Sequence, residues 1–468
     1  MARFAHLLVL VSFVLASGAA AAAAGGAHRR ERSSARLHLE RAAPGATMAE
    51  RAADDRFRHA YINAKLAAAS SSSARRRAAE TSPAESSAFA MPLTSGAYTG
   101  TGQYFVRLRV GTPAQPFVLV ADTGSDLTWV KCSSPSSSSS SPAASPPQRV
   151  FRPAGSKSWS PLPCDSDTCK SYVPFSLANC SSPPDPCSYD YRYKDNSSAR
   201  GVVGLDSATV SLSGNDGTRK AKLQEVVLGC TTSYDGQSFK SSDGVLSLGN
   251  SNISFASRAA SRFGGRFSYC LVDHLAPRNA TSFLTFGNGD SSPGDDSSSR
   301  RTPLVLLEDA RTRPFYFVSV DAVTVAGERL EILPDVWDFR KNGGAILDSG
   351  TSLTILATPA YDAVVKAISK QFAGVPRVNM DPFEYCYNWT GVSAEIPRME
   401  LRFAGAATLA PPGKSYVIDT APGVKCIGVV EGAWPGVSVI GNILQQEHLW
   451  EFDLANRWLR FKQSRCAH

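Results

Sequence analysis

Histidine is scarce in this chain. Of seven, only His274, His448 and His468 lie beyond residue 60. A serine or cysteine triad needs a histidine as its base. The first two read as structural or surface residues, and the third is the chain end. No Gly-x-Ser-x-Gly, His-Glu-x-x-His or Gly-x4-Gly-Lys-Ser/Thr pattern occurs. That removes the nucleophile elbow, the zinc-protease helix and the phosphate loop. Charged residues make up only 19% of the chain. Beyond the N-terminal stretch, no run is long and apolar enough to cross a bilayer as a helix. Cysteine is missing from the first 131 residues.

A net charge of +8 would suit a nucleic-acid binder, but the excess is in the wrong place. Residues 26–85 hold 12 Arg/Lys against 7 Asp/Glu, and with Arg3 that leaves +2 for residues 86–468. If the front is removed, the remainder is nearly neutral and lacks the expected basic footprint. All ten cysteines lie in that remainder. An even count there suits five disulfides and an oxidising compartment. Cys164 and Cys169 have a loose metal-like spacing, but no histidine clusters near them, so zinc is not expected.

Two stretches organise the rest. Residues 118–125 read Val-Leu-Val-Ala-Asp-Thr-Gly-Ser, and residues 345–352 read Ala-Ile-Leu-Asp-Ser-Gly-Thr-Ser. Each apolar run reads as a buried strand, and the glycine lets the backbone turn sharply after it. Each motif therefore puts a carboxylate at the tip of a buried strand, among hydroxyl and N–H groups that can satisfy it. An apolar-apolar-Gly element follows each: Val245, Leu246 and Gly249 in the stretch 242–249, then Val439, Ile440 and Gly441. The repeated order points to two related halves.

With Asp122-Thr123-Gly124-Ser125 and Asp348-Ser349-Gly350-Thr351 in place, the chain from about residue 104 to 461 resembles the pepsin-like aspartic peptidases. Within them it is most similar to the plant nepenthesin-like and chloroplast-nucleoid-protease-like members. The resemblance implies a mainly β, bilobal fold, with two related β-rich lobes and the active site in the cleft between them. It implies that Asp122 and Asp348 are the catalytic pair, that Thr123 and Ser349 exchange hydrogen bonds with the opposite loop, and that Ser125 and Thr351 bond the outer carboxylate oxygens. Gly124 and Gly350 permit the turns. Tyr193, in the stretch 189–197, takes the place of the flap tyrosine over the substrate, although Lys194 and Asn196 stand where the family usually has glycine. Trp129 would support that tyrosine through a hydrogen bond, or serve simply as a core aromatic.

The chain in order then reads as a signal peptide (1–25), a propeptide (26–85), an N-terminal lobe with a disulfide-stapled insertion (86–295) and a C-terminal lobe (296–468). The short basic start and compact apolar core favour secretion over a plastid transit peptide. The propeptide has a helix-permissive segment at 48–66 and an Arg75-Arg76-Arg77 run suited to processing. Its positive charge would dock over the acidic cleft and keep a zymogen quiet. Residues 133–147, nearly all Ser, Pro and Ala, form a surface loop. Residues 359–372 read as a helix with Val364, Val365, Ile368 and Phe372 on one face, and 449–461 as a closing hairpin. Asn179, Asn252, Asn279 and Asn388 are candidate glycosylation sites, whereas Asn196 on the flap is a poor one.

The function expected is hydrolysis of peptide bonds by water activated between two aspartates, in a secreted, extracellular monomer. No cofactor or metal is called for, and polypeptides are the expected partners. Neither nucleic acid nor membrane is expected for the mature chain. The alternatives are a catalytically weak binding or inhibitor protein on the same fold, and a plastid protease that also binds DNA. Vacuole and chloroplast are the alternative compartments.

Overall fold

The computed structural model describes residues 47–68, 89–95, 102–133, 149–173, 185–192, 198–212, 219–235, 239, 242–277, 280–287, 299–307 and 312–467. Among these the molecule is mostly strand, as the composition predicts. It opens with helix α1 (Met48–Ala68) and strands β1 (Phe89–Ser95), β2 (Tyr104–Val110) and β3 (Gln115–Asp122). Strand β2 keeps one face in the core: Val106, Leu108 and Val110 are buried, while Arg109 on the other face is exposed.

Asp122 ends β3, which runs parallel to the apolar-Gly strand Gly244–Ser247 in a register that sets Asp122 beside Ser247. That strand also pairs antiparallel with β4 (Thr128–Lys131), and β4 lies parallel to the long strand Lys220–Asp235. The second half repeats the arrangement. Strand β5 (Ala345–Asp348) runs parallel to β8 (Ser438–Gly441), setting Asp348 beside Gly441. Strand β8 also pairs antiparallel with β6 (Thr354–Ala357), and β6 lies parallel to β7 (Val429–Gly432). Each aspartate thus sits at the C-terminal tip of a strand buried at every position from its last apolar residue onward. The predicted duplication is therefore present in the topology.

The halves share their largest sheet, of 14 strands among the described residues. The strand Arg266–Cys270 pairs with His448–Asp453, which pairs in turn with Trp458–Gln463 as the predicted closing hairpin. Phe267 stacks on Phe452 at 4.6 Å between ring centroids, and Tyr316 lies 4.9 Å from the same ring. The predicted helix spans Thr358–Gln371 and buries Val364, Val365 and Ile368. Four disulfides join described cysteines: Cys132–Cys230, Cys169–Cys187, Cys270–Cys466 and Cys386–Cys426. Cys164 is disulfide-bonded as well.

Helix α1 packs into a buried apolar cluster of the C-terminal half. Ala52 and Ile62 are buried in a cluster with Ile346, Leu353, Ile355, Val430 and Val439, and Met48 and Leu66 pack against its edge. With positions 55 and 59 between them, these helix residues fall at spacings of three and four, so one face of the helix lies on β6 and β7.

Candidate active site

The two Asp loops face each other. Thr123 N–H donates to Ser349 Oγ at 3.0 Å, and Ser349 N–H donates to Thr123 Oγ1 at 2.9 Å. Each hydroxyl then donates to a carbonyl behind the opposite aspartate: Thr123 to Leu347 at 3.3 Å and Ser349 to Ala121 at 2.9 Å. Four bonds therefore lock the loops in register. Behind the second loop, the buried Asn442 Nδ2 donates to Ser349 O at 3.0 Å.

Asp122 is 3% exposed and Asp348 is fully buried. Gly124 N–H donates to Asp122 Oδ1 at 2.8 Å, and Gly350 N–H to Asp348 Oδ1 at 2.9 Å. Thr351 Oγ1 donates to Asp348 Oδ2 at 2.7 Å. The matching bond expected of Ser125 is not made; its hydroxyl donates to the Asp122 backbone carbonyl at 3.3 Å.

The glycines have a different cause from the one expected. Neither Gly124 nor Gly350 has a positive φ, so neither is required for the turn. Space requires them. A Cβ on Gly124 would lie 2.8 Å from Asp348 Oδ1, and one on Gly350 would lie 2.5 Å from Asp122 Oδ1. Each glycine makes room for the opposite carboxylate and for the Arg58 guanidinium, whose terminal nitrogen would lie 2.5 Å from either Cβ.

Between the carboxylates lies Arg58 of α1. Its guanidinium donates from Nε to Asp348 Oδ2 at 2.6 Å, and from one terminal nitrogen to Asp348 Oδ1 at 2.8 Å and Asp122 Oδ1 at 2.5 Å. One cation thus bridges both acids, in the fork geometry that suits arginine over lysine. Burial opposes the Arg58 charge, but the two carboxylates outweigh it and hold its pKa well above the ordinary value. Burial and the neighbouring Asp348 push Asp122 up, against the pull of Arg58. Burial also pushes Asp348 up, but Arg58, Thr351 and Gly350 together hold it below the usual carboxylate range. The pair is therefore asymmetric.

Other α1 side chains fix the helix over this site. Asp55 accepts from the backbone N–H groups of Ser352 and Leu353 at 2.8 and 2.6 Å. His59 Nε2 lies 2.7 Å from Val437 O, and Asn63 Oδ1 accepts from Val437 N–H at 3.3 Å. Sequence reasoning expected only a diffuse positive charge here and missed these residues. The signal was present. Positions 48, 52, 55, 59, 62 and 66 form one helical stripe, and Asp55 and His59 break its apolar run.

Trp129 is buried, with its ring edge-on to Phe239 at 5.1 Å. Tyr193, Asn179, Asn196 and Asn279 lie outside the described residues. Asn252 and Asn388 are exposed, as glycan acceptors must be. His274 and His448 are buried rather than on the surface. Each bonds through Nδ1 at 2.9 Å, to Gln446 Oε1 and Gln446 O respectively.

Comparison with known proteins bears on the family and the fold. Residues 104–288 match a family profile described as "Xylanase inhibitor N-terminal", and residues 315–463 match "Xylanase inhibitor C-terminal". The chain is 32% identical over 386 residues to "Aspartyl protease family protein 2" of Arabidopsis thaliana, covering 81% of this chain and 74% of that one. It is 29% identical to "Aspartic proteinase nepenthesin-1" of Nepenthes gracilis, covering 79% of each. Among solved structures, "edgp" superposes with a TM-score of 0.62 at 22% identity, covering 82% of this chain and 96% of that one. Basic 7S globulin from soybean gives 0.61 at 19%, covering 81% and 96%. At those identities the structural likeness bears on the fold alone.

Proposed function

The chain belongs to the pepsin-like aspartic proteases of plants, and from that premise we propose that it is a secreted aspartic endopeptidase held latent by its own helix α1. The observation that carries the reading is the pair of Asp loops locked face to face by Thr123 and Ser349, with both carboxylates reached by one guanidinium. Carboxylates that close cannot both ionise cheaply and share a proton over an acidic range, an established property of such dyads rather than one derived from this chain. Asp348, held ionised by Thr351 and Gly350, takes a proton from a bound water. The water attacks the peptide carbonyl while Asp122, pushed toward its protonated form, hydrogen-bonds the carbonyl oxygen. The proton then passes to the leaving nitrogen.

While Arg58 fills the dyad, no water or substrate can reach it. Residues 69–88, with the Arg75-Arg76-Arg77 run, join α1 to β1. Strand β1 pairs with both β2 and Ser282–Phe286, so processing upstream of residue 89 would free the helix and keep the sheet whole. The disulfides suit the oxidising route of a secreted protein.

The test is acid proteolysis by the processed protein from pH 3 to 7, beside Asp348→Asn. Cleavage that is lost in the variant supports the reading; no cleavage by correctly processed, folded protein overturns it. A non-catalytic binding protein is the second reading. It is favoured by the family profiles' description, and the same experiment separates the two.

A further inference from the structure

Gly249 closes the apolar-Gly stretch 242–249, and it marks a place where the two halves meet behind Asp122. A Cβ there would run into Pro314 of the second half and lie 2.5 Å from Ser125 O. The segment around Gly249 is tied on both sides. Leu248 N–H donates to Asp122 O at 2.8 Å, and Gly249 N–H donates to Ser125 O at 3.1 Å. On the other side Asn250 N–H donates to Pro314 O at 2.7 Å, and the Tyr316 hydroxyl donates to Leu248 O at 2.6 Å. Tyr316 begins the strand Tyr316–Val318, which pairs antiparallel with β5 and sets Tyr316 opposite Leu347, the residue before Asp348. One side chain therefore reaches from beside the strand that carries Asp348 to the residue bonded to Asp122.

That side chain has little freedom. It is fully buried, with its ring packed on Phe452 and, at 6.0 Å between centroids, on Phe267. A close-packed interior transmits a fixed length where a loose one would absorb it. Burial pushes the phenol pKa up, so the hydroxyl remains a donor through the acidic and neutral range. The first half repeats the device. Tyr104 opens β2, the neighbour of β3, and its hydroxyl accepts from Gln446 Nε2 of the second half at 2.8 Å.

We propose that Tyr316 is a positioning residue of the proteolytic reaction, a spacer of fixed length between the halves that sets the separation of Asp122 and Asp348. This rests on the proteolytic reading above. Proton sharing depends on that separation, because repulsion between close carboxylates drives their two pKa values apart. Without the hydroxyl, the Leu248 segment loses a tie to the second half and the aspartates sit further apart, so the two values approach each other. The four bonds of Thr123 and Ser349 still hold the loops, so the outcome is a shift and a slower reaction, not a dead enzyme.

Tyr316→Phe removes the hydroxyl and keeps the ring. The control is Tyr416→Phe. It also loses buried tyrosine bonds, but to Pro397 O at 2.6 Å and Met399 N–H at 3.1 Å rather than to residues that touch an Asp loop. Both variants should unfold at somewhat lower denaturant, as loss of a buried hydrogen bond requires. After processing, only Tyr316→Phe should lower kcat on a peptide substrate, by about tenfold with KM unchanged, a part of the 100-fold that an ångström of misplacement costs. Only in that variant should the acid and alkaline limbs of the kcat/KM profile move toward each other, by about half a pH unit in all. Hydrogen exchange on the unprocessed chain gives a reading without catalysis. Residues 118–125 and 242–249 should exchange faster in Tyr316→Phe and not in Tyr416→Phe. Cleavage with kcat and limbs unchanged in Tyr316→Phe, or equal losses in the two variants, overturns the spacer and leaves proteolysis standing. Faster exchange in those segments with no cleavage by the unmutated protein supports the spacer and overturns the proteolytic reading. The absence of both overturns both.

Discussion

Gly124 and Gly350 show how little space the candidate dyad leaves. Each stands where a methyl group would meet the opposite carboxylate at 2.8 and 2.5 Å respectively. The neighbour cannot give way freely, because Asp348 is held by Gly350 and Thr351 and Asp122 by Gly124. Gly124→Ala should therefore separate the carboxylates while the lobes still fold. Activity should fall by about 100-fold or more, since misplacement by an ångström near the reacting atoms costs about that much. Steady-state proteolysis beside circular dichroism reads both, and an active Gly124→Ala protein would refute the crowding. Thr351 supports a second prediction. Its bond to Asp348 Oδ2 favours the ionised acid, so removing it raises that pKa. A bond to a charged group is worth about 1.5–3 kcal/mol, or about one to two pH units. In Thr351→Val the acid limb of kcat/KM should move up in pH by about one unit. Ser125→Ala should move it far less, because the Ser125 hydroxyl bonds a backbone carbonyl instead.

On the proposed reading, helix α1 is the element on which latency turns. Its grip combines an apolar stripe with side chains that each satisfy a backbone or carboxylate group of the C-terminal half. Two of its contacts weaken together in acid. Asp348 is held below the ordinary carboxylate range partly by Arg58. Its contribution to docking is complete above the value it has once the helix is released, and is lost as pH falls through its docked value. Burial lowers the pKa of His59. That residue docks neutral, so its contribution holds above the free-histidine value near 6.5 and is lost as pH falls below it. Acid should therefore release α1, first through His59 and then through Asp348. Arg58→Ala leaves two buried carboxylates facing each other without their cation, and losing one partner of a buried pair costs about 3–5 kcal/mol. The variant should process itself at a higher pH than the unmutated protein. The onset of proteolysis in a pH-jump series measures this, and an unchanged onset would dispose of Arg58 as the block. Arg58→Lys should fall between the two, keeping the charge but losing the fork.

At the scale of the whole molecule, the sequence made legible whatever is written in short runs. The apolar run, Asp, hydroxyl and Gly of each loop marked the strand tips, and the repeated order of Asp122 with Val245 and of Asp348 with Ile440 marked the duplication. Contacts that depend on which surfaces meet were harder to see. Nothing near residue 58 says that its guanidinium ends between Asp122 and Asp348, 64 and 290 residues on. Nor does the Gly124 motif say that its glycine serves the partner lobe's carboxylate rather than its own turn. Cysteine pairing was illegible for the same reason, and it supports the last prediction. Cys270 ends a strand of the sheet shared by the halves, and Cys466 lies just past that sheet's last hairpin strand, 196 residues later. A crosslink over so long a loop takes much entropy from the unfolded chain, and loss of such a bond costs about 2–5 kcal/mol. Cys270→Ser/Cys466→Ser leaves no stray thiol and keeps the ladder from Arg266–Cys270 to His448–Asp453. The double variant should unfold at clearly lower denaturant than the unmutated protein yet retain most activity once folded, because both Asp loops lie on other strands. An unchanged unfolding midpoint would mean that the sheet and its Phe267–Phe452 stack hold the halves together without the crosslink.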